Sequence, residues 1–156
     1  MGITTSLRQA LKRILYPHVR EVGFTVDTAD QPQSTTFRRI TGDVLDVFDI
    51  QWDDHAKPRF VINFAQATSP QTDPYGNVIP LEKLRAYQCE ERLRLQRRRG
   101  GSFGCWFQLR RPLVEQLVTF KRENNADEVV LQVIEYFPEM EAWWRTREVG
   151  PHVQSL

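Results

Sequence analysis

The chain has 156 residues, a length that suits one domain able to bury a real core. Hydrophobic residues make up 40% and charged residues 26%, which excludes a disordered polar chain, and no apolar run approaches the roughly 20 residues a membrane helix needs. With 21 Lys and Arg against 20 Asp and Glu the net charge is +1, so any charged surface has to come from local segregation.

Ser6 with Gln9 three residues later has the pattern of a capping box. Leu7, Leu11, Ile14, Leu15, His18 and Val22 then recur at helical spacing and predict a first helix. Pro17 predicts a kink within it, and Gly23 its C-terminal cap. The N-terminus lacks a signal-peptide stretch, because Arg8, Lys12 and Arg13 interrupt it; a cytoplasmic protein is expected.

The pattern then changes to period two. Short strands are expected at 24–27 and 34–40, separated by a polar loop containing Pro32. A longer strand is expected at 43–52, with Val44, Phe48, Ile50 and Trp52 on one face. The next, at 59–66, alternates Phe60, Ile62 and Phe64 against Val61, Asn63 and Ala65. Residues 68–80, rich in Pro, Gly, Asn, Asp and Ser, read as an irregular loop. In 81–96, Leu81, Leu84 and Tyr87 fit a short helix, whereas Cys89, Glu91, Leu93 and Leu95 alternate as a strand does. The favoured reading is a strand at about 88–96, paired with one near 105–109 across an exposed turn RRRGGSFG.

The C-terminal third reads as helical. Pro112 suits a first helical position, and Leu113, Leu117 and Phe120 form its expected buried stripe. Asn125 with Glu128 resembles another cap, and Val129, Val130, Val133, Ile134 and Phe137 continue at helical spacing. Pro138 predicts a break or kink before Met140, Trp143 and Trp144, and Gly150 with Pro151 mark the end of regular structure. The expected architecture is a single α+β domain over 1–156. It is an antiparallel meander sheet of about four to six strands covered on one face by an N-terminal helix and C-terminal helices.

Several segments carry a family resemblance: LKRILYPHVREVGF at 11–24, TFRR at 36–39, Gln51 followed by FVINF at 60–64, Cys89 with Arg92 and Leu93, and CWFQL at 105–109. Together they resemble an uncharacterised bacterial family, domain of unknown function 4304. Phe107 stands where that pattern usually has a second tryptophan, and the 68–80 loop is long. The resemblance implies a fold and brings no catalytic residues.

Charge segregates in the middle of the chain: residues 82–111 carry nine basic and three acidic side chains, whereas 112–156 carry four and eight. Arg92, Arg94, Arg97, Arg98 and Arg99 lie in this block, interleaved with Phe103, Trp106 and Phe107. They form a candidate binding surface that could meet phosphates while an aromatic ring stacks on a base. The bland alternative is a solvated hairpin whose charge is cancelled internally. Trp143 and Trp144 are adjacent and cannot both face one side of a helix, so one of them is a candidate partner anchor.

Asp49, Asp53, Asp54 and His55 could hold a divalent cation, but Asp53–Pro58 reads as a hairpin turn, where Asp bonds its own backbone. Cys89 or Cys105 with His55 could form a thiol–imidazole pair, although both cysteines read as reduced core thiols. His152 is expected in a fraying tail, and the glycines at 100, 101 and 104 match no phosphate loop. No cofactor is implied. The leading reading is a non-enzymatic protein-binding domain, similar by analogy to immunity proteins of this size. The alternatives are a nucleic-acid-binding module using 92–111 and a metal-dependent hydrolase using Asp49, Asp53 and His55.

Overall fold

The computed structural model describes residues 3–27, 33–98, 105–111 and 113–156. The expectations placed on Pro32, Arg99, Gly100, Gly101, Phe103, Gly104 and Pro112 fall outside these residues.

The first apolar stripe forms α1 (Ile3–Ala10), a π-helical turn (Leu11–Leu15) and α2 (Tyr16–Glu21) in unbroken succession. Pro17 accounts for the middle piece. It has no amide proton and its ring crowds the carbonyl four residues back, so a widened turn just before it lets the helix continue. The expected kink is thus a change of helical register. Ser6 lies inside α1 and does not cap it. The C-terminal cap is a Schellman motif: Gly23, at φ 97°, donates to the Arg20 carbonyl and Phe24 to that of Val19, both at 3.0 Å.

The strands are β1 (Thr25–Val26), β2 (Ser34–Thr41), β3 (Val44–Trp52), β4 (Arg59–Ala67), β5 (Gln71–Thr72), β6 (Val78–Ile79), β7 (Arg92–Leu95), β8 (Phe107–Gln108) and β9 (Val153–Ser155). The helices α3 (Leu113–Thr119) and α4 (Ala126–Thr146) complete the elements. Seven strands make one antiparallel sheet in the order β1-β2-β3-β4-β7-β9, with β8 also on β4. The α+β class holds, with one strand more than expected.

Three strand expectations need correction. The 68–80 loop contains the small β5–β6 hairpin, closed by Asp73, which accepts the Tyr75 and Asn77 amides at 2.9 and 2.8 Å. The segments around 92 and 107 do not pair with each other as a ladder. Nine-residue β4 is long enough to hold both along one edge, β7 opposite 62–65 and β8 opposite 59–60. Residues beyond Pro151 do not fray. They form β9 on β7, and His152 is gripped by Glu139, whose carboxylate accepts the His152 amide at 2.8 Å and approaches Nδ1 at 2.6 Å. The His152 ring stacks on Tyr136 at 3.6 Å.

Asn125 caps α4 by accepting the Asp127 amide at 2.8 Å. Pro138 does not break this helix; it sits on the exposed side of 21 uninterrupted residues. α1, α2 and α4 cover the sheet face that carries Phe37, Phe48, Ile50, Phe60, Ile62, Phe64, Leu93 and Leu95. Phe37 stacks on Phe48 at 4.6 Å, and Phe24 and Phe137 meet Phe48 edge-on. Within this core Arg39 acts as a clamp. Its guanidinium lies 4.5 Å over the Phe24 ring, donates to Asp46 at 2.8 Å and makes two bonds to Glu141. This ties β2 and β3 to α4.

The opposite sheet face is also partly covered. The 79–89 segment lays Leu84, Ala86 and Cys89 on Leu45, Val47, Ala65 and Ala67. Arg38, next to Arg39 and therefore on the other face, holds that segment by donating to the Leu84 carbonyl at 2.7 Å and pairing with Asp27. The TFRR stretch thus serves both faces in turn.

Candidate functional site

The tryptophans expected as partner anchors are both buried, at 2% for Trp143 and 6% for Trp144. Trp143 packs edge-on against Phe64 at 5.5 Å, and the Trp144 indole donates to the Ala65 carbonyl at 2.9 Å. Phe64 of β4 meets both indole rings edge-on, so neither tryptophan is left to anchor a partner.

The arginine block is distributed rather than gathered. Arg94 is half-buried on the second sheet face, where Thr36, Asp49, Asn63, Arg94 and Gln154 form one row across five strands. Its Nε donates to Asn63 Oδ1 at 2.8 Å, while Asn63 Nδ2 donates to Gln51 Oε1 at 2.6 Å. Burial lowers the pKa of Arg94, although the group remains a cation at any physiological pH. Arg92 is exposed and bonds the Tyr87 carbonyl. Arg97 and Arg98 both pair with Glu115 of α3. Arg99 lies outside the described residues.

Asp49 sits in the polar row with Oδ2 accepting the Ala86 amide at 3.0 Å and Oδ1 buried without a hydrogen bond. Burial pushes its pKa up to about 6, against the opposing pull of the Thr36 hydroxyl, the amides of residues 86 and 87, and Arg85. Burial, reinforced by Asp49, also pushes the Cys89 thiol up to about 11, so it is no nucleophile at neutral pH. Asp53 is engaged elsewhere. It binds Arg59 at 2.7 Å and the His55 amide at 2.8 Å, while the His55 ring points into solvent. Desolvation alone would raise the Asp53 carboxyl, but hydrogen bonds from Arg59 and from the amides of residues 55 and 57 together hold it below its usual range. Among the described residues no group of three or more His, Cys, Asp and Glu is placed to hold a metal, so Asp49, Asp53 and His55 are not brought together as ligands.

The surface that the structure does bring together is one that sequence reasoning assigned to the core. Helix α3 is inside out. Leu113, Val114, Leu117 and Val118 are 72–76% exposed and Phe120 is 92% exposed, contrary to the expected buried stripe. The polar side faces the protein: Glu115 takes Arg97 and Arg98, Gln116 Nε2 donates to the Arg111 carbonyl at 2.6 Å, and Arg111 Nη1 donates to Thr119 at 3.0 Å. With Glu115 and Gln116 both turned inward, 113, 114, 117 and 118 make up the other side of the helix and face outward. Phe120 ends the helix at φ 57°, a left-handed conformation in which a bulky side chain is strained. The signal available in the sequence was the single glutamate in LVEQLVT, preceded by a surplus of arginines.

Behind α3, an open cleft of about 380 Å³ runs between it and α4, lined by Arg97, Arg111 and Glu115 on one side and Glu128, Leu131 and Glu135 on the other. Arg97 Nη1 and Arg111 Nε are buried there without a hydrogen-bond partner. The five apolar side chains on α3 and at its end are 72–92% exposed, a grouping of a kind monomers rarely leave open to water.

No helix among the described residues is long and apolar enough to cross a membrane. No curated protein and no solved structure matches the chain. A family model matches residues 31–147, which include β2 to β8, α3 and all of α4, and begins after the 11–24 segment. That match spans most of the sequence, and the chain belongs to the family described as domain of unknown function DUF4304.

Proposed function

We propose that this is a protein-recognition domain, without catalytic activity of its own, that binds a partner through the outward face of α3. The observation that carries the reading is the inverted amphipathicity of that helix. Four aliphatic side chains and Phe120 are held in water while Glu115 is turned inward. Each large apolar side chain gains about 1.5–3 kcal/mol when removed from water. Leaving this set exposed on a helix pinned by ion pairs is unfavourable unless a partner covers it. Patches of this kind mark interaction sites. The proposed setting is the cytoplasm, where thiols such as Cys89 and Cys105 stay reduced.

The test is affinity capture from nuclease-treated host lysate, using the wild-type chain and Leu117→Asp in parallel. Because Leu117 is 75% exposed, the substitution should leave stability within about 0.5 kcal/mol. A stoichiometric protein captured by wild type and lost from Leu117→Asp is the expected result. A partner retained equally by the variant would refute the assignment of the surface, and no partner at all would refute the function.

A further inference from the structure

Resting on that reading, the charges around α3 specify what would cover it. We propose that the partner presents an acidic amphipathic helix, whose apolar stripe packs on Leu113, Val114, Leu117 and Val118 and whose carboxylates meet the cations gathered where the chain enters and leaves α3. Arg110 precedes the helix, and Lys121 and Arg122 follow Phe120; all three are exposed. Among the described residues none of these three is in an ion pair, although Glu123 stands opposite Arg110 in a β-bridge. The outward face itself carries no charge, because Glu115 is drawn inward by Arg97 and Arg98. The Arg111 amide donates to the Arg122 carbonyl at 2.9 Å, so the segments entering and leaving α3 run side by side, and the result is an apolar strip about two helical turns long beside one cluster of cations.

The charge pattern disfavours a lipid surface as the occupant. An anionic bilayer would be attracted by the three cations, but the flank next to α3 is formed by exposed Glu128 and Glu135 across the cleft. These would be drawn towards the same surface and repelled. A discrete helix can lie along α3 and avoid the glutamate wall. Phe120, held outward at φ 57°, extends the apolar strip past the last turn towards Lys121.

The experiment uses the full chain and labelled synthetic peptides that form amphipathic helices, with leucine at the a and d positions and either glutamate or lysine at the others. Fluorescence anisotropy should show the glutamate peptide binding at least ten-fold more tightly than the lysine peptide. Leu117→Asp should abolish binding. The triple charge reversal Arg110→Glu, Lys121→Glu, Arg122→Glu should invert the preference between the two peptides. Equal binding of both peptides, or an unchanged preference in the triple variant, would overturn the inference. So would binding to vesicles of phosphatidylglycerol without binding to the glutamate peptide, or a dimer in solution that Leu117→Asp dissolves. If Leu117→Asp loses a captured cellular protein while peptide charge has no effect, the acidic partner is wrong and protein recognition survives. If Leu117→Asp loses nothing in either assay, both fail.

Discussion

Replacing Asp49 by asparagine tests the electrostatics of the second sheet face directly. In the folded chain Asp49 is 2% exposed, one carboxylate oxygen has no hydrogen bond, and its pKa is pushed up to about 6. The unfolded chain returns it to the ordinary value of about 4. The native state therefore holds this proton more tightly than the unfolded state does. Stabilisation from protonated Asp49 is fully present below about pH 4 and is lost as the pH rises through about 6. At about 1.36 kcal/mol per unit, a displacement of roughly two units makes the charged form cost about 3 kcal/mol at neutral pH. The side-chain amide of the Asp49→Asn variant can still accept the Ala86 amide through its oxygen, and it carries no charge. Urea unfolding followed by fluorescence of the buried tryptophans, at intervals from about pH 4 to 8, should show Asp49→Asn gaining on wild type up to about pH 6.5 by about that amount and then levelling off. Asp53, whose carboxyl is shifted the other way, contributes equally in both proteins and cancels in the difference. A difference between the two proteins that stays constant across this range would show that Asp49 titrates normally and that the buried-charge argument is wrong.

Phe120→Gly should raise the stability of the isolated chain by about 1 kcal/mol, because glycine adopts the left-handed conformation without strain and the lost ring was almost fully exposed. Thermal unfolding should report the gain, while affinity for any α3 partner should fall. Arg39→Ala should destabilise by about 3–5 kcal/mol in urea unfolding, because Asp46 and Glu141 would be left without their shared cation. Gly150→Ala should cost about 1–3 kcal/mol, since its Cβ would run into Glu139 Oε1 and displace the carboxylate that grips His152. Hydrogen exchange should localise that loss to β9 and its pairing with β7.

The sequence alone determined whatever depends on local periodicity and turn chemistry. The alternation in 44–52 and 59–67 places Phe48, Ile50, Phe60, Ile62 and Phe64 on one side whatever the remaining chain does. Asn125 begins one helix and Gly23 ends another through their own backbone preferences. Tertiary structure decided everything that turns on which neighbour arrives. Pro138 is tolerated because it faces water, and Trp143 and Trp144 are both buried because β4 meets both, with Phe64 edge-on to each ring and the Ala65 carbonyl accepting the Trp144 indole. The residues after Pro151 are ordered because β7 offers them an open edge. The same holds for α3. Its stripe of Leu113, Val114, Leu117 and Val118 has the spacing of a core face, and periodicity reports only that these residues share a side. Which side turns inward was settled by Arg97 and Arg98, 18 and 17 residues before Glu115, because pairing with that carboxylate requires the polar face of α3 to meet the protein.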